Sequence, residues 1–311
     1  INRNFRIGLL NMVTDEDIEN EIGSNNNTII ALQHKVFSQS NISFMFINRE
    51  NIKEYDFILE EEKYNRVLGV DYNLSSNNSK WTGKYYLHKS ITPGINGNDI
   101  STGIRTNYNS RNLSFRASGG YIGENFNSDL GFIRRKGIIK INPEIRYTFW
   151  PKDKKLVNHS FEITPIMTWD SESNNKLSDY FVFSRWEGTL QNGSSLNLSI
   201  RNQYTYLFEN FDPTGLDNGN HLPSDSEYYY THYEAEFNNY FSSNEFTYRI
   251  EYSFGEFFNG NKDSYDVSLS YRIQPKFTST IKINYDKIRL PEPFNSENII
   301  LIAPRFEYTF T

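Results

Sequence analysis

No cysteine occurs among the 311 residues, so disulfides and thiolate metal centres are both excluded. No apolar run approaches the ~18 residues that a membrane-spanning helix needs, and mean hydropathy is −0.66, so a helical membrane bundle is excluded as well. Basic charge is in deficit. The 32 Lys and Arg against 38 Asp and Glu leave a net charge of −6, which argues against a nucleic-acid partner, because such a partner needs a basic face. The opening residues carry no charged-then-apolar leader, as expected if one is removed or lies upstream.

Aromatic residues, by contrast, are abundant. The 22 Tyr, 24 Phe and 4 Trp bring aromatics to 16% of the chain, more than a soluble core needs and in keeping with the aromatic girdles of membrane barrels. Their placement is periodic. Tyr265, Val267, Leu269, Tyr271 and Ile273 alternate with Asp266, Ser268, Ser270, Arg272 and Gln274. Phe246, Tyr248, Ile250, Tyr252 and Phe254 alternate in the same way with Thr247, Arg249, Glu251 and Ser253. Successive side chains of a strand point to opposite faces, so each segment has one greasy and one wet face. Sustained over ten or more positions, this is the pattern of a transmembrane β-barrel, in which only every second residue meets lipid. A soluble all-β fold would use shorter strands, of ~5–6 residues, around a packed core.

Sixteen segments read as strands: 4–14, 28–37, 42–50, 65–75, 80–90, 99–109, 113–122, 138–150, 160–170, 180–190, 195–208, 228–240, 245–257, 264–274, 277–288 and 299–310. Each is close to the ~9–11 residues that cross a bilayer when tilted. They form one antiparallel meander with no interior linker. Long breaks at 15–27, 51–64, 123–137 and 212–227 are expected on one rim, and short breaks at 110–112 and Asn192-Gly193 on the other. Asn192-Gly193 suits a type I′ hairpin turn. The stretch 52–63 reads either as a short helix or as a charged loop.

The chain resembles the carboxy-terminal barrel of large outer-membrane proteins of Bacteroidota, a family with no established activity. The resemblance rests on the order and spacing of several stretches. These include Ile7-Gly8-Leu9-Leu10-Asn11, Asn48-Arg49-Glu50, Tyr64-Asn65-Arg66 with Gly69-Val70-Asp71, and Tyr121-Ile122-Gly123-Glu124-Asn125-Phe126. Gly131-Phe132-Ile133-Arg134-Arg135, Gly255-Glu256-Phe257-Phe258-Asn259-Gly260 and Leu290-Pro291-Glu292-Pro293 continue it. Members of that family carry an amino-terminal domain similar to carbohydrate-binding module family nine, and they have strands beyond both ends of the matched region. The resemblance therefore implies a piece of a wider barrel, of about twenty strands or more, whose lumen is an aqueous channel or is plugged. It also implies the outer membrane of a Gram-negative bacterium.

Catalytic chemistry finds little support. His34, His88, His159, His221 and His232 are scattered without an HExxH pair, so structural roles are favoured over zinc ligation. Glu234 and Glu236 share one strand face, where acid–base work is geometrically allowed, but carboxylates in a wetted barrel wall are the favoured reading. Neither a phosphate-binding glycine loop nor a GxSxG elbow is present, and no cofactor is implied. The loop 212–227 (DPTGLDNGNHLPSDSE) has oxygen ligands suited to calcium but lacks EF-hand spacing, so a solvated loop is favoured. Trp81, Trp150, Trp169 and Trp186 read as interfacial belt residues, with sugar stacking as the alternative.

The run 123–136 (GENFNSDLGFIRRK) stands apart from the strands. It joins Glu124 and Asp129 to Arg134-Arg135-Lys136, with turn-permitting glycines at 123, 131 and 137. Glu124, Asp129, Arg134 and Arg135 are accordingly the candidate pore or ligand contacts, because a planar guanidinium suits carboxylate and hydroxyl-rich ligands. An exposed loop with charges at the membrane rim is the alternative. The functional expectation is a non-enzymatic outer-membrane channel, receptor or binding platform for extracellular polymers such as glycans. A structural or assembly subunit is the main rival, and a surface hydrolase a distant one. Candidate partners are membrane lipid, lipopolysaccharide, other outer-membrane proteins or surface lipoproteins, and a glycan ligand.

Overall fold

The computed structural model describes residues 4–152, 155–216, 219–240, 245–273 and 275–310. Gln274, expected to end one strand, lies outside the described residues, as do Asp217 and Asn218 of the Asp- and Asn-rich loop. The described residues form seventeen antiparallel strands. They are β1 (Phe5–Thr14), β2 (Asn25–Val36), β3 (Ser40–Asn51), β4 (Tyr64–Ser75), β5 (Trp81–Ile91), β6 (Ile100–Asn109), β7 (Leu113–Ile122), β8 (Ile138–Ile141) and β9 (Glu144–Phe149). There follow β10 (Leu156–Asp170), β11 (Lys176–Leu190), β12 (Ser195–Leu207), β13 (Ser226–Asn238), β14 (Phe246–Phe257), β15 (Gly260–Ile273), β16 (Phe277–Arg289) and β17 (Glu297–Tyr308).

Seventeen strands replace the sixteen expected because 138–150 is interrupted at Asn142-Pro143. Proline has no N–H to give the ladder, so hydrogen bonding lapses there. Ile141 of β8 pairs with Met167 of β10, and Ile145 of β9 pairs with Ile163 of β10. Asn142 donates its N–H to the Ser118 carbonyl at 2.8 Å, and Ser118 Oγ donates to the Asn142 carbonyl at 2.7 Å, which holds the break in place.

The contacts divide the chain into two compact units. One comprises Ile1–Ser110, Ser114–Pro143 and Met167–Leu177, and the other Arg111–Leu113, Glu144–Ile166 and Ser178–Thr311. In the first unit the long connections 15–24, 52–63 and 123–137 share a rim, opposite the short turns 37–39 and 76–80. Within 52–63 only Glu60–Glu62 is helical, a single 3-10 turn. In the second unit the long connection 208–225 leaves from the rim opposite the turn 191–194. That turn is not type I′. Asn192 lacks a positive φ, whereas Gly193 lies at +81° and donates its N–H to the Leu190 carbonyl at 3.0 Å, giving a type I turn closed by a left-handed glycine.

In the second unit Tyr265, Val267, Leu269 and Tyr271 lie opposite Tyr252, Ile250, Tyr248 and Phe246 of β14. They lie opposite Tyr285, Ile283, Ile281 and Ser279 of β16 on the other side. Together they form a continuous, mostly apolar face on which Tyr265, Tyr271 and Ile273 are exposed. Asp266, Ser268, Ser270 and Arg272 occupy the reverse. Trp81, Trp169 and Trp186 also lie on apolar faces, across from Tyr108, Ile139 and Leu198. Trp150 follows β9 and donates its indole N–H to the Arg111 carbonyl at 3.1 Å.

Buried apolar side chains are few among the described residues, and Phe126, Leu222 and Leu290 among them belong to connections between strands. Leu222 is completely buried and Phe126 nearly so. The connection 208–225 is thus more than a solvated loop. Asp212 accepts hydrogen bonds from the N–H and Oγ1 of Thr214, and Asp225 accepts one from the Tyr206 hydroxyl, so both carboxylates serve the loop itself. Among the described residues no three His, Asp or Glu side chains converge as metal ligands.

Candidate functional site

The wet face of the first unit is built by register. Asp71 of β4 pairs with Tyr86 of β5, Tyr86 with Gly103 of β6, Gly103 with Gly120 of β7, and Gly120 with Lys140 of β8. Lys84 lies opposite Arg105 and Arg105 opposite Ser118 one row away, and His88 lies opposite Ser101 on the other side. All of these belong to one face, because paired residues share a face and alternate residues return to it.

The segment 123–136 folds back onto this wet face. Its start is fixed by the backbone: Gly123 donates to the Ile100 carbonyl at 2.9 Å and Asn125 to the Asn98 carbonyl at 3.0 Å. A Cβ on Gly123 would stand 1.9 Å from the Asn98 carbonyl oxygen, so only glycine fits. Farther along, buried polar residues of the strands hold the segment down. The Asn127 N–H donates to Ser90 Oγ at 3.1 Å and the Asp129 N–H to Asn65 Oδ1 at 3.1 Å. Asn65 and Ser90 are almost wholly buried, so these hydrogen bonds are shielded from water and their loss would leave unsatisfied groups. An ion pair completes the attachment. Arg49 of β3 reaches Asp129 through Nε at 2.9 Å and through its terminal nitrogen at 2.7 Å, with both side chains only about one-fifth exposed.

The four residues singled out from the sequence therefore separate into two roles. Glu124 accepts a hydrogen bond from the Asn98 amide at 3.3 Å, and Asp129 anchors the segment. Arg134 and Arg135 lie on the wall of a cavity of about 670 Å³ together with Phe132, Lys84, Tyr86 and Lys140. Arg135 also stands 4.0 Å from Asp170. An adjoining cavity of about 430 Å³ shares Lys84, Tyr86 and Lys140 and adds Arg105, Ser118 and Asn142. The strand residues of this constellation were not singled out from the sequence. Lys84, Arg105 and Lys140 do occupy polar positions of alternating strands, which was the available signal, but only strand pairing puts them side by side.

The wet face of the second unit is of opposite character. Arg249 binds Glu236 at 2.7 Å, Glu251, and Asp266 at 3.4 Å, while Asn197 and Asn238 donate to Glu236. Arg146 likewise holds Glu162 and Glu187. Glu234 lies 3.9 Å from Arg201, so Glu234 and Glu236 are members of an ion-paired wall.

No protein-family model matches the chain, and no curated protein matches it in sequence. Solved structures do match in fold. The outer membrane protein OprD from Pseudomonas aeruginosa superposes with a TM-score of 0.50 at 9% identity, covering 97% of this chain and 92% of that one. OccK10 (OpdN) of the same organism gives 0.51 at 9% identity over 99% of this chain and 97% of its own, and OccAB3 of Acinetobacter baumannii gives 0.51 at 10% over 99% and 98%. At such low identity the likeness concerns architecture alone: the chain has the antiparallel β-barrel fold of outer-membrane porins.

Proposed function

We propose that the chain forms the wall of a non-enzymatic channel in the outer membrane of a Gram-negative bacterium, with the segment 123–136 as its inward constriction. One observation carries this reading: a segment outside the strands is tied to the wet face by Asn65, Ser90 and the Arg49–Asp129 pair. A loop serving only the membrane rim has no need of buried anchors on the wet face. The attachment leaves Arg134 and Arg135 beside Lys84 and Lys140, where their charge would act on passing solutes. Glycans as the cargo or bound polymer are supported by the resemblance to the Bacteroidota barrels and their carbohydrate-binding-like domain. The porin fold also favours a channel over the rival reading of a purely structural or assembly subunit.

Replacing Arg134 and Arg135 with Ala in the reconstituted full-length protein tests the constriction. The expected outcome is altered conductance and a weaker preference for anions, with heat-modifiable assembly intact. Wild-type conductance and ligand response would make 123–136 an ordinary loop. An effect on assembly alone would favour the structural reading.

A further inference from the structure

The adjoining cavity has features that conductance alone does not require. Tyr86, Gly103, Gly120 and Lys140 form one cross-strand row, so two residues without side chains stand between an aromatic ring and a cation. The Tyr86 ring leans into the gap. A Cβ on Gly103 would lie 2.7 Å from ring carbon Cε1 and 2.9 Å from the hydroxyl oxygen, so the ring rests on the Gly103 backbone. The result is a notch with an aromatic wall, in a sheet whose strands are spaced ~4.8 Å apart.

The charges around the notch are unbalanced. Lys84 is engaged by Asp71 at 3.0 Å, and Asp71 also holds His88 at 2.8 Å. Arg105, Lys140 and Arg134 have no carboxylate partner among the described residues, although all three line the two joined cavities. Neutral polar groups occupy the same wall: Ser118, Asn142 and the Tyr86 hydroxyl. The Nδ2 of Asn142 is shielded from solvent and has no hydrogen-bond acceptor among the described residues. Unpaired cations call for an anion, a ring face calls for a flat partner, and scattered hydroxyl and amide groups call for hydroxyls.

We propose that this notch is a binding subsite for an acidic sugar. The carboxylate of a uronic acid sits between Arg105 and Lys140, its ring lies on Tyr86, and its hydroxyls meet Ser118 and Asn142. This rests on the channel reading and names a solute class for it. Arg105 supplies a planar fork for the carboxylate and Lys140 a point charge from the opposite side, so neither replaces the other.

The test uses the full-length protein in detergent micelles, where binding is read by saturation-transfer NMR without any need for conduction, and in planar bilayers, where block of the current is read. The probes are sodium glucuronate, glucose and sodium benzoate. Glucuronate is expected to bind at about tenfold lower concentration than glucose, the effect of one charge-assisted contact. Arg105→Gln combined with Lys140→Gln should abolish that advantage. Tyr86→Leu should weaken glucuronate and glucose together, and Lys282→Gln, on the wet face of the second unit, should change neither. Retained heat-modifiability shows that each variant assembles. Equal binding of glucuronate and glucose, no effect of the double substitution, or a preference for benzoate over glucuronate would overturn the proposal. Micellar binding of glucuronate without any bilayer current would refute the channel reading while leaving the subsite standing. Current without binding would do the reverse.

Discussion

Val267 lies midway along β15, on the apolar face between Ile250 and Ile283 of the neighbouring strands. Val267→Arg is expected to cost about 2–4 kcal/mol where the site sits near the bilayer midplane, while Ser268→Arg, on the wet face, costs little. Folding titrations into lipid vesicles measure both, and equal costs would reverse the face assignment. A second side chain, Glu16, lies outside the strands. It accepts hydrogen bonds from Lys53 Nζ at 2.9 Å and from the Tyr55 hydroxyl, joining the loops 15–24 and 52–63. The Lys53 bond, followed by that of Tyr55, holds the Glu16 carboxyl below its ordinary 4.5, and the same contact raises Lys53. A lowered carboxyl stabilises the contact above its unfolded pKa, and that contribution is lost as pH falls through the folded value. Spin labels on the two loops should therefore report a longer separation once the pH falls below the ordinary carboxylate range than at pH 7, and Glu16→Gln should remove the pH dependence.

The segment 123–136 depends on its first residue. Gly123→Ala places a methyl group against the Asn98 carbonyl, where flexible side-chain adjustment cannot relieve the clash. A cost of about 1–3 kcal/mol is expected, as for other overpacked sites, and it should fall on the segment's attachment rather than on the strands. Limited proteolysis reads the difference: cleavage within 123–136 should rise while the strands stay protected. Protection equal to wild type would show that Asn98 yields. The segment was recognisable in the sequence as a break in alternation with clustered charge. Its anchors Asn65 and Ser90 were not, because a buried Asn or Ser on a strand looks like any other polar position of a wet face.

The antiparallel architecture leaves large apolar side chains exposed on most of the long strands among the described residues, which water would not tolerate and a bilayer requires. The protein is therefore expected to fractionate with membranes, to resist carbonate extraction and to need detergent for release. Recovery in the soluble fraction would contradict the lipid-facing assignment. Several strands outrun the expected ~9–11 residues, since β10 and β11 each reach 15.

Strand existence, the inward or outward direction of each side chain and the parity of long and short connections follow from local pattern. Period-two alternation is a property of consecutive residues, and in an antiparallel meander the partners are neighbours in the chain. That is why 264–273 and 246–254 could be oriented residue by residue from their order alone. The break at Pro143 was equally local, because the missing N–H is a property of that residue alone. The notch between Tyr86 and Lys140 has no such local signature. Four strands contribute one residue each, and what makes the space is the absence of side chains at Gly103 and Gly120, which acquires meaning only when register sets them in one row. The attachment of 123–136 is likewise a matter of folding, because Arg49 and Asp129 are 80 residues apart and nothing in their surroundings announces the pair.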